Sequence, residues 1–283
     1  MTRATLLLAL ILSGAVSTAA LWELVRRTPV ARAPIWQCVN YRDRVVSLLG
    51  GPVVLVAAAL GAGALAATRP AGRRRALAVL VVLMVAAAAG VYDDLRGEAG
   101  PKGLAGHLRA AARGRLTSGV LKVVALGIGG AAAAALLAGR FSLQAAADGL
   151  LIATSANLAN LFDLRPGRAA KFTAAGLVLV AAVGSAASTS IAWCAGVSLG
   201  ILGYDLRERV MLGDAGANAL GAALGVGIVA AGSPPARLVA LVAVVALTLL
   251  SEIVSFGRVI DATPPLRWLD ALGRCDGDRR ARA

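Results

Sequence analysis

The chain contains nine apolar stretches, most of them close to the roughly 20 residues that a helix needs to cross the hydrocarbon core of a bilayer. Inside a bilayer every backbone N–H and C=O group must be paired within the protein, so a spanning segment is a helix or a strand of a closed barrel. None of the stretches alternates as a barrel strand does. The sequence therefore predicts an all-α, multi-pass transmembrane helical bundle with about nine spans: 4–24, 51–68, 76–92, 118–139, 142–161, 171–187, 189–204, 217–232 and 236–256.

The composition favours helices that pack closely within a membrane. Hydrophobic residues make up 58% of the 283 residues, but aromatic residues only 4%, and small residues let helix backbones approach each other. We expect residues 1–256 to form one transmembrane domain and residues 257–283 to form a short basic cytoplasmic tail. The cysteines are scattered, without the spacing of a disulfide framework or a metal site: Cys38, Cys194 and Cys275.

The distribution of charge predicts which helix ends face the cytoplasm. The formal net charge is +14, and alternating the nine spans places 22 of the 29 Lys and Arg residues on one side. Basic loops remain in the cytoplasm, so this side is expected to be cytoplasmic. The basic loop 69–75 conflicts with this orientation, and no nucleic-acid motif accompanies the charge. Of the 15 acids, 14 lie on the same side, which predicts an acidic working surface; the exception is Asp148, in the fifth span.

Two adjacent carboxylates, Asp93 and Asp94, end the third span. Such a pair at the mouth of an apolar helix is costly unless a cation or a proton offsets its charge. One interpretation is an interfacial pair that only ends the helix. The other is a site for Mg²⁺, a hard cation that binds carboxylates beside phosphates.

The fifth span ends with polar residues at every third position, Asn157, Asn160 and Asp163. This spacing places them along one side of a helix, which we expect to face a cavity or a helix partner. Hydrogen bonding between helices is the alternative role for the two Asn residues.

The eighth span begins with a Gly-rich segment that contains Asp214 and, one turn later, Asn218. A Gly-rich helix start offers free N–H groups and the positive end of the helix dipole to a phosphate. Asp214 as a simple N-cap is the alternative.

Lysine is rare in the chain, with Lys102, Lys122 and Lys171 against 26 arginines. The two cations are not interchangeable, so each lysine is a candidate for a role that Arg cannot fill. All three fall on the acidic side. Residues 101–116 predict an amphipathic helix on the membrane surface. The only histidine, His107, lies in it, and both a surface role and phosphate contact are open for this residue.

The three motifs, in this order, resemble those of the polyprenyl-phosphate N-acetylhexosamine-1-phosphate transferases. They are Asp93-Asp94, Asn-x-x-Asn-x-x-Asp from Asn157, and Met-x-Gly-Asp-x-Gly from Met211. The likeness covers about residues 40–230, and residues 40–51 resemble the family's first cytoplasmic loop. It implies Mg²⁺-dependent transfer of a sugar 1-phosphate from a UDP-amino sugar to polyprenyl phosphate, releasing UMP. The implied setting is cell-envelope glycan biosynthesis at the cytoplasmic face of a bacterial plasma membrane.

The resemblance also implies roles for individual residues. Asp93 and Asp94 would act as base and metal-side carboxylates, and Asp214 would ligate Mg²⁺, with Mn²⁺ as the alternative ion. The implied catalytic set is Asp93, Asp94, Asp163 and Asp214, with Asp94 and Asp214 as metal ligands. It also implies that Asn157 and Asn160 bind the nucleotide and that Lys102 meets a phosphate. Asn218, beside Asp214, and the cations Arg165 and Lys171, which could contact phosphates, complete the predicted substrate-binding set.

Two departures from the family pattern leave alternatives open. After the fifth span the family commonly continues Asp-Gly-x-Asp-Gly, whereas here Pro166 replaces the second Asp. The His-rich late loop of phospho-N-acetylmuramoyl-pentapeptide transferase is absent from the sequence, which argues against that substrate. The alternatives are a non-catalytic relative that binds polyprenyl phosphate or a partner protein, and a transporter, for which Asp148 is the one midplane polar candidate. The sugar and the oligomeric state, a homodimer included, stay open.

Overall fold

The computed structural model describes residues 2–96, 103–184 and 188–274. Over these ranges the chain is almost entirely helical, with one small antiparallel hairpin whose strands are β1 (Gln37–Val39) and β2 (Val45–Ser47). The helices are α1 (Arg3–Val25), α2 (Gly50–Thr68), α3 (Arg73–Arg96), α4 (Gly103–Ala112), α5 (Ser118–Ala138), α6 (Leu143–Phe162), α7 (Arg168–Val183), α8 (Thr189–Asp205), α9 (Gly213–Ala231), α10 (Pro234–Ser251), α11 (Phe256–Ala262) and α12 (Pro264–Ala271).

Six helices within the described ranges are long and apolar enough to cross a membrane: α1, α2, the Pro70–Arg96 segment that contains α3, α5, α9 and α10. The predicted all-α fold is therefore confirmed, and the six candidate spans support a membrane protein. Nine spans are not confirmed. α7 and α8 have only 16 and 17 residues, and α6 has 20 residues but carries Asp148 and two Asn residues within them.

α9 forms the centre of the bundle, and nearly all of its residues are buried. Most of them are Gly or Ala, so neighbouring backbones can approach closely. A Cβ atom added at Gly221 would lie 2.6 Å from the Ser155 carbonyl oxygen of α6, and one at Gly90 of α3 would collide with the Ala215 backbone. Close packing against α3 and α6 therefore sets where the start of α9, and with it Asp214, lies.

α1 lies on the outside of the bundle, against α8. Gly14 and Gly196 face the opposite helix so closely that a Cβ atom at either position would collide with its backbone. The Arg3 guanidinium donates to the Ala181 and Ala182 carbonyl oxygens, at 3.0 and 2.9 Å. A cation at the end of α7 stabilises the carbonyls that the helix leaves unpaired.

Asp148, the acid outside the acidic surface, is buried near the starts of α6 and α10. Its carboxylate accepts hydrogen bonds from Arg237, at 3.0 Å, and from Gln144, at 3.0 Å. Buried charges are tolerated when they are paired in this way. The ion pair gives Asp148 a role in packing α6 against α10.

Candidate active site

The start of α9 is fixed to the end of α3 by Asp94. Gly213 has a φ of +58°, a left-handed conformation that glycine adopts without a Cβ penalty. The turn directs two backbone N–H groups at Asp94. Asp214 N donates to Asp94 Oδ1 at 2.9 Å, and Ala215 N donates to Asp94 Oδ2 at 3.1 Å. Both carboxylate oxygens of Asp94 are therefore bound to the helix start, and Asp94 positions Asp214.

Lys122 joins the first and third motifs. Its side chain reaches from α5 to two other helices, donating to Asp93 Oδ2 at 2.8 Å and to Asp214 Oδ2. All three side chains are largely but not completely buried. One ammonium group thus compensates two carboxylates at the end of the bundle, where Asp93 and Asp94 on α3 meet Asp214 on α9.

Asp163 lies just beyond the end of α6 and belongs to the same acidic surroundings. Burial first, and then the charges of Asp205 and Asp214, raises the pKa of the Asp163 carboxyl well above its usual value, against a hydrogen bond from the Gly213 backbone. Asp205 is itself buried and accepts a hydrogen bond from Gly167 N, at 3.0 Å. Asp163 thus lies buried beside two other carboxylates, Asp205 and Asp214.

The three amides of the predicted site differ in their partners. Asn218 is fully buried, and its Nδ2 donates to the Asp214 carbonyl oxygen at 2.7 Å. Its Oδ1 has no hydrogen-bond partner within the described part of the chain. Asn157 and Asn160 are partly buried, and neither side chain makes a hydrogen bond with another described residue. Such amides have donors and acceptors to offer a ligand.

The predicted substrate cations Arg165 and Lys171 face the C-terminal helices rather than the Lys122 cluster. Arg165 binds Asp261 through two hydrogen bonds, at 2.9 and 2.8 Å. Lys171 donates to the carbonyl oxygens of Leu269 and Asp270, at 3.0 and 2.9 Å. The third predicted cation, Lys102, lies outside the described residues.

The loop after α1 supports the segment that precedes α9. Asn40 Nδ2 and Arg42 Nη1 donate to the Glu208 carboxylate, at 3.0 and 2.9 Å. Met211 N donates to Ser47 O at 2.8 Å. Between this loop and the turn after α6 lies a narrow cleft that is lined by Asn40, Tyr41, Asp163, Arg165, Asp205 and Glu208.

An apolar groove lies beside the turn after α6. It has a volume of about 640 Å³ and runs between α7, α10 and the two C-terminal helices. Phe162, the residue before Asp163, stacks on Phe172 at 4.7 Å between ring centroids and lines the groove with it. The polar groups at the rim belong to Arg168, Lys171 and Asp270. The groove can hold an apolar chain whose polar end lies near the turn.

Two residues of the acidic surroundings were not among the predicted site residues. Lys122 had a signal in the sequence, because it is one of only three lysines and was expected on the acidic side. Asp205 had none, because its segment carries no motif. His107, by contrast, bonds to Thr117, with 2.8 Å between Nδ1 and Oγ1. Thr117 caps α5 through the Val120 N–H, so His107 braces the helix that carries Lys122.

No preformed metal cage of three or more His, Cys, Asp or Glu side chains occurs within residues 2–96, 103–184 and 188–274. Mg²⁺ usually retains several waters and binds one or two carboxylates together with substrate phosphates, so a cage is not required. Asp163 and Asp214 lie close enough to interact, and their carboxylate oxygens are the ligand type that fits a divalent cation. Asp94 is already bonded through both oxygens, and its role as a metal ligand stays a prediction.

Comparison of the chain with protein-family models and with curated proteins gives no match. The likeness to the sugar-phosphate transferases therefore rests on the three motifs. Two of them, at Asp93-Asp94 and at Asp214, are brought into direct contact by the fold, and the third supplies the neighbouring Asp163.

Proposed function

We propose that the chain is a membrane-embedded phosphotransferase that moves a sugar 1-phosphate from a UDP-amino sugar to polyprenyl phosphate and releases UMP. The observation that carries the proposal is the meeting of Asp93, Lys122 and Asp214 from three helices at one end of the bundle. The reaction joins two anionic substrates, so it needs groups that compensate phosphate charge and position the reacting oxygens. The motif resemblance supports the choice of substrates.

In this proposal the cluster rearranges when substrates bind. Lys122 exchanges its carboxylate partners for phosphate oxygens, since an ammonium group can donate three hydrogen bonds. Asp93, released from Lys122, accepts a proton from the phosphate of the lipid. The lipid phosphate oxygen then attacks the β-phosphorus of the UDP-sugar, and the bond to the oxygen that leaves with UMP breaks. Asp94 keeps Asp214 in place throughout.

Asp214 and Asp163 hold Mg²⁺ or Mn²⁺ in the proposed enzyme. When bound, the ion supplies neutralisation of charge on the phosphate oxygens. Asn157 and Asn160 contact the nucleotide, which is supported by their lack of partners in the described structure. Asn218 holds the first turn of α9 through the Asp214 carbonyl. Arg165 provides positive charge at the narrow cleft, and Lys171 at the rim of the apolar groove.

The polyprenyl chain occupies the apolar groove between α7 and α10 in this proposal. α10 is the most exposed of the candidate spans, so in a bilayer its surface contacts lipid and the groove is accessible from the membrane. We further propose that α6, α7 and α8 also cross the membrane, which gives nine spans. The acidic end then faces the cytoplasm of a bacterial cell, where UDP-sugars are made. This placement follows from the basic loops.

The test is release of UMP by the detergent-purified protein supplied with polyprenyl phosphate, Mg²⁺ and a panel of UDP-amino sugars. We expect release that depends on lipid and on Mg²⁺, and that falls by at least about 100-fold in Asp93→Asn and Asp214→Asn, because each removes a charged group at the reacting phosphates. Asp148→Asn is the matched control, since Asp148 lies at the other end of α6.

If the folded protein binds polyprenyl phosphate but releases no UMP from any sugar, the result would contradict this proposal. It would favour the second candidate, a non-catalytic relative that binds polyprenyl phosphate. Pro166 is the observation that favours that second candidate, because it replaces the family's second Asp and its carbonyl oxygen is held by Arg274, at 2.9 Å.

A further inference from the structure

The turn after α6 and the first turn of α7 carry three cations, and the C-terminal helices bind all of them. Arg165 is paired with Asp261 of α11, and Arg168 with Asp270 of α12. Lys171 donates to the Leu269 and Asp270 carbonyls. A carboxylate that binds an Arg side chain through two hydrogen bonds occupies the same donors that a phosphate would use.

The two Arg–Asp pairs differ in burial. Arg168 and Asp270 are only 5% and 6% exposed, and Arg274 adds a second guanidinium to the same carboxylate, at 2.6 Å. Burial opposes ionisation of Asp270, but the hydrogen bonds from Arg168 and Arg274 outweigh it and lower the pKa of this carboxyl. The pair is a stable anchor for α12, because separating buried partners leaves an uncompensated charge.

The pair on α11 is much more accessible to solvent. Arg165 and Asp261 are 33% and 42% exposed, and pairs at this exposure contribute little to stability. Apart from its packing on α12, α11 has few other attachments. Phe256 stacks on Phe162, with 5.4 Å between centroids, and Ile260 is buried. Beneath the helices lies the apolar groove rather than a close-packed layer. α11 can therefore leave the bundle while α12 stays attached.

Arg165 also belongs to the site. It lines the narrow cleft together with Asp163, and its guanidinium lies over the Tyr41 ring, 5.7 Å from the centroid. Arg168 has a buried Nη1 without a hydrogen-bond partner in the described part of the chain. Arg165 thus offers donors to an anion that enters next to Asp163, and Arg168 has a spare donor at the start of α7.

We propose that α11 is a self-inhibitory latch, in which Asp261 competes with a phosphate-bearing ligand for Arg165. The ligand class, an anion with a pyrophosphate or phosphate group, rests on the proposed function. When the anion binds, Arg165 exchanges Asp261 for a phosphate oxygen, and α11 is released while Asp270 holds α12. The same exchange opens the rim of the apolar groove that α11 covers.

Amide hydrogen exchange of the full chain in detergent tests the latch without requiring turnover. We expect Mg²⁺-pyrophosphate to increase exchange in residues 256–262 by about two- to five-fold, the range that loss of an exposed ion pair gives, with no change in residues 264–271. Asp261→Asn should give the same increase without pyrophosphate, and pyrophosphate should have no effect on Arg165→Gln. Sodium chloride of equal ionic strength is the control for screening.

An unchanged α11 in Asp261→Asn would overturn the latch. So would an increase in Asp261→Asn that pyrophosphate does not reproduce in the native chain, because Asp261 would then be a structural partner only. Failure of the proposed function appears separately, as absent UMP release. If pyrophosphate releases α11 but the protein has no transferase activity, the latch proposal stands and the proposed reaction is contradicted.

Discussion

At the scale of single residues, Lys122 decides whether the acidic cluster is tolerated. Its ammonium group lies between Asp93 and Asp214, which belong to different helices. Without it, two largely buried carboxylates would lie side by side with no positive charge between them, and burial makes such repulsion expensive. Lys122 therefore links the stability of the bundle end to the charge of the site.

Lys122→Ala should lower the free energy of unfolding by about 3–5 kcal/mol, the cost of removing one partner from a largely buried ion pair. Lys122→Arg is the control that keeps the charge. Mg²⁺ should restore more stability to the variant than it adds to the native chain, because the cation takes over the compensation. Thermal unfolding in detergent, with and without Mg²⁺, measures both effects. If Mg²⁺ raised the unfolding free energy of Lys122→Ala and of the native chain equally, that result would contradict a cation site next to Asp214.

Gly213 is the residue whose conformation brings Asp214 to Asp94. A Cβ atom there would lie 2.8 Å from Asp94 Oδ2, and its φ is +58°. Gly213→Ala should therefore cost about 1–2 kcal/mol of unfolding free energy from the left-handed backbone alone, and it should also reduce UMP release.

Gly127→Ala is the matched control for this substitution. Gly127 lies within α5, and a Cβ atom there would meet no atom within 4 Å. Alanine is favoured over glycine inside a helix, so the control should keep or raise the melting temperature. A Gly213→Ala protein as stable as this control would show that the turn does not require the left-handed conformation.

At the scale of elements, α12 is held in place by an ion pair between its Asp270 and Arg168 at the start of α7. The Arg168–Asp270–Arg274 group connects the first residue of α7 to the C-terminal segment. Because the pKa of Asp270 is lowered in the fold, its ion pairs stabilise the attachment at pH values above the usual carboxyl pKa of about 3.9. They are lost as the pH falls through the lowered value.

Asp270→Asn should detach α12 at neutral pH, because Arg168 and Arg274 then lose the charge that compensates them. We expect cleavage by trypsin after Arg267, within α12, to become at least about ten-fold faster, corresponding to loss of about 1.4 kcal/mol or more of local stability. Arg258→Gln, on α11, is the control. Cleavage at the same rate in both variants would show that the ion pairs do not hold α12.

Sequence and structure agree best where a pattern is repeated and local. Runs of apolar residues predicted the long helices but not α11 and α12, which lie where a short basic tail was expected. The Asn-x-x-Asn-x-x-Asp spacing placed three polar residues at the end of α6. The contacts between distant segments could not be predicted, because they depend on how α3, α5 and α9 pack. No periodicity indicates that Asp94 accepts from the start of α9, that Lys122 bridges two motifs, or that Arg165 and Lys171 are bound by the C-terminal helices.

At the scale of the whole molecule, the two ends of the bundle have different character. One end collects the carboxylates, Lys122 and the free amides, whereas the other has the Asp148–Arg237 pair. Small residues at the α3–α9 contact, such as Gly90, allow the helices that carry Asp94 and Asp214 to approach closely. The proposed reaction requires the acidic end to face the cytoplasm.

Labelling of single cysteines with a membrane-impermeant maleimide measures this orientation in intact cells. In a background with Cys38, Cys194 and Cys275 replaced, Arg140→Cys should react from outside, and Arg115→Cys only after permeabilisation. Arg115 and Arg140 flank α5, so they must lie on opposite sides if it spans the membrane. The reverse labelling pattern would place the acidic end outside the cell and remove the supply of UDP-sugar.

The most direct test of the proposed function follows the transferred group itself. The purified protein is given a UDP-amino sugar with a radiolabelled β-phosphate, polyprenyl phosphate and Mg²⁺, and the label is measured in the lipid extract. The proposed function predicts lipid-soluble label that appears together with UMP and is absent from Asp214→Asn and Lys122→Ala. Label that stays in the aqueous phase, with the native chain folded and the lipid bound, would contradict the transferase.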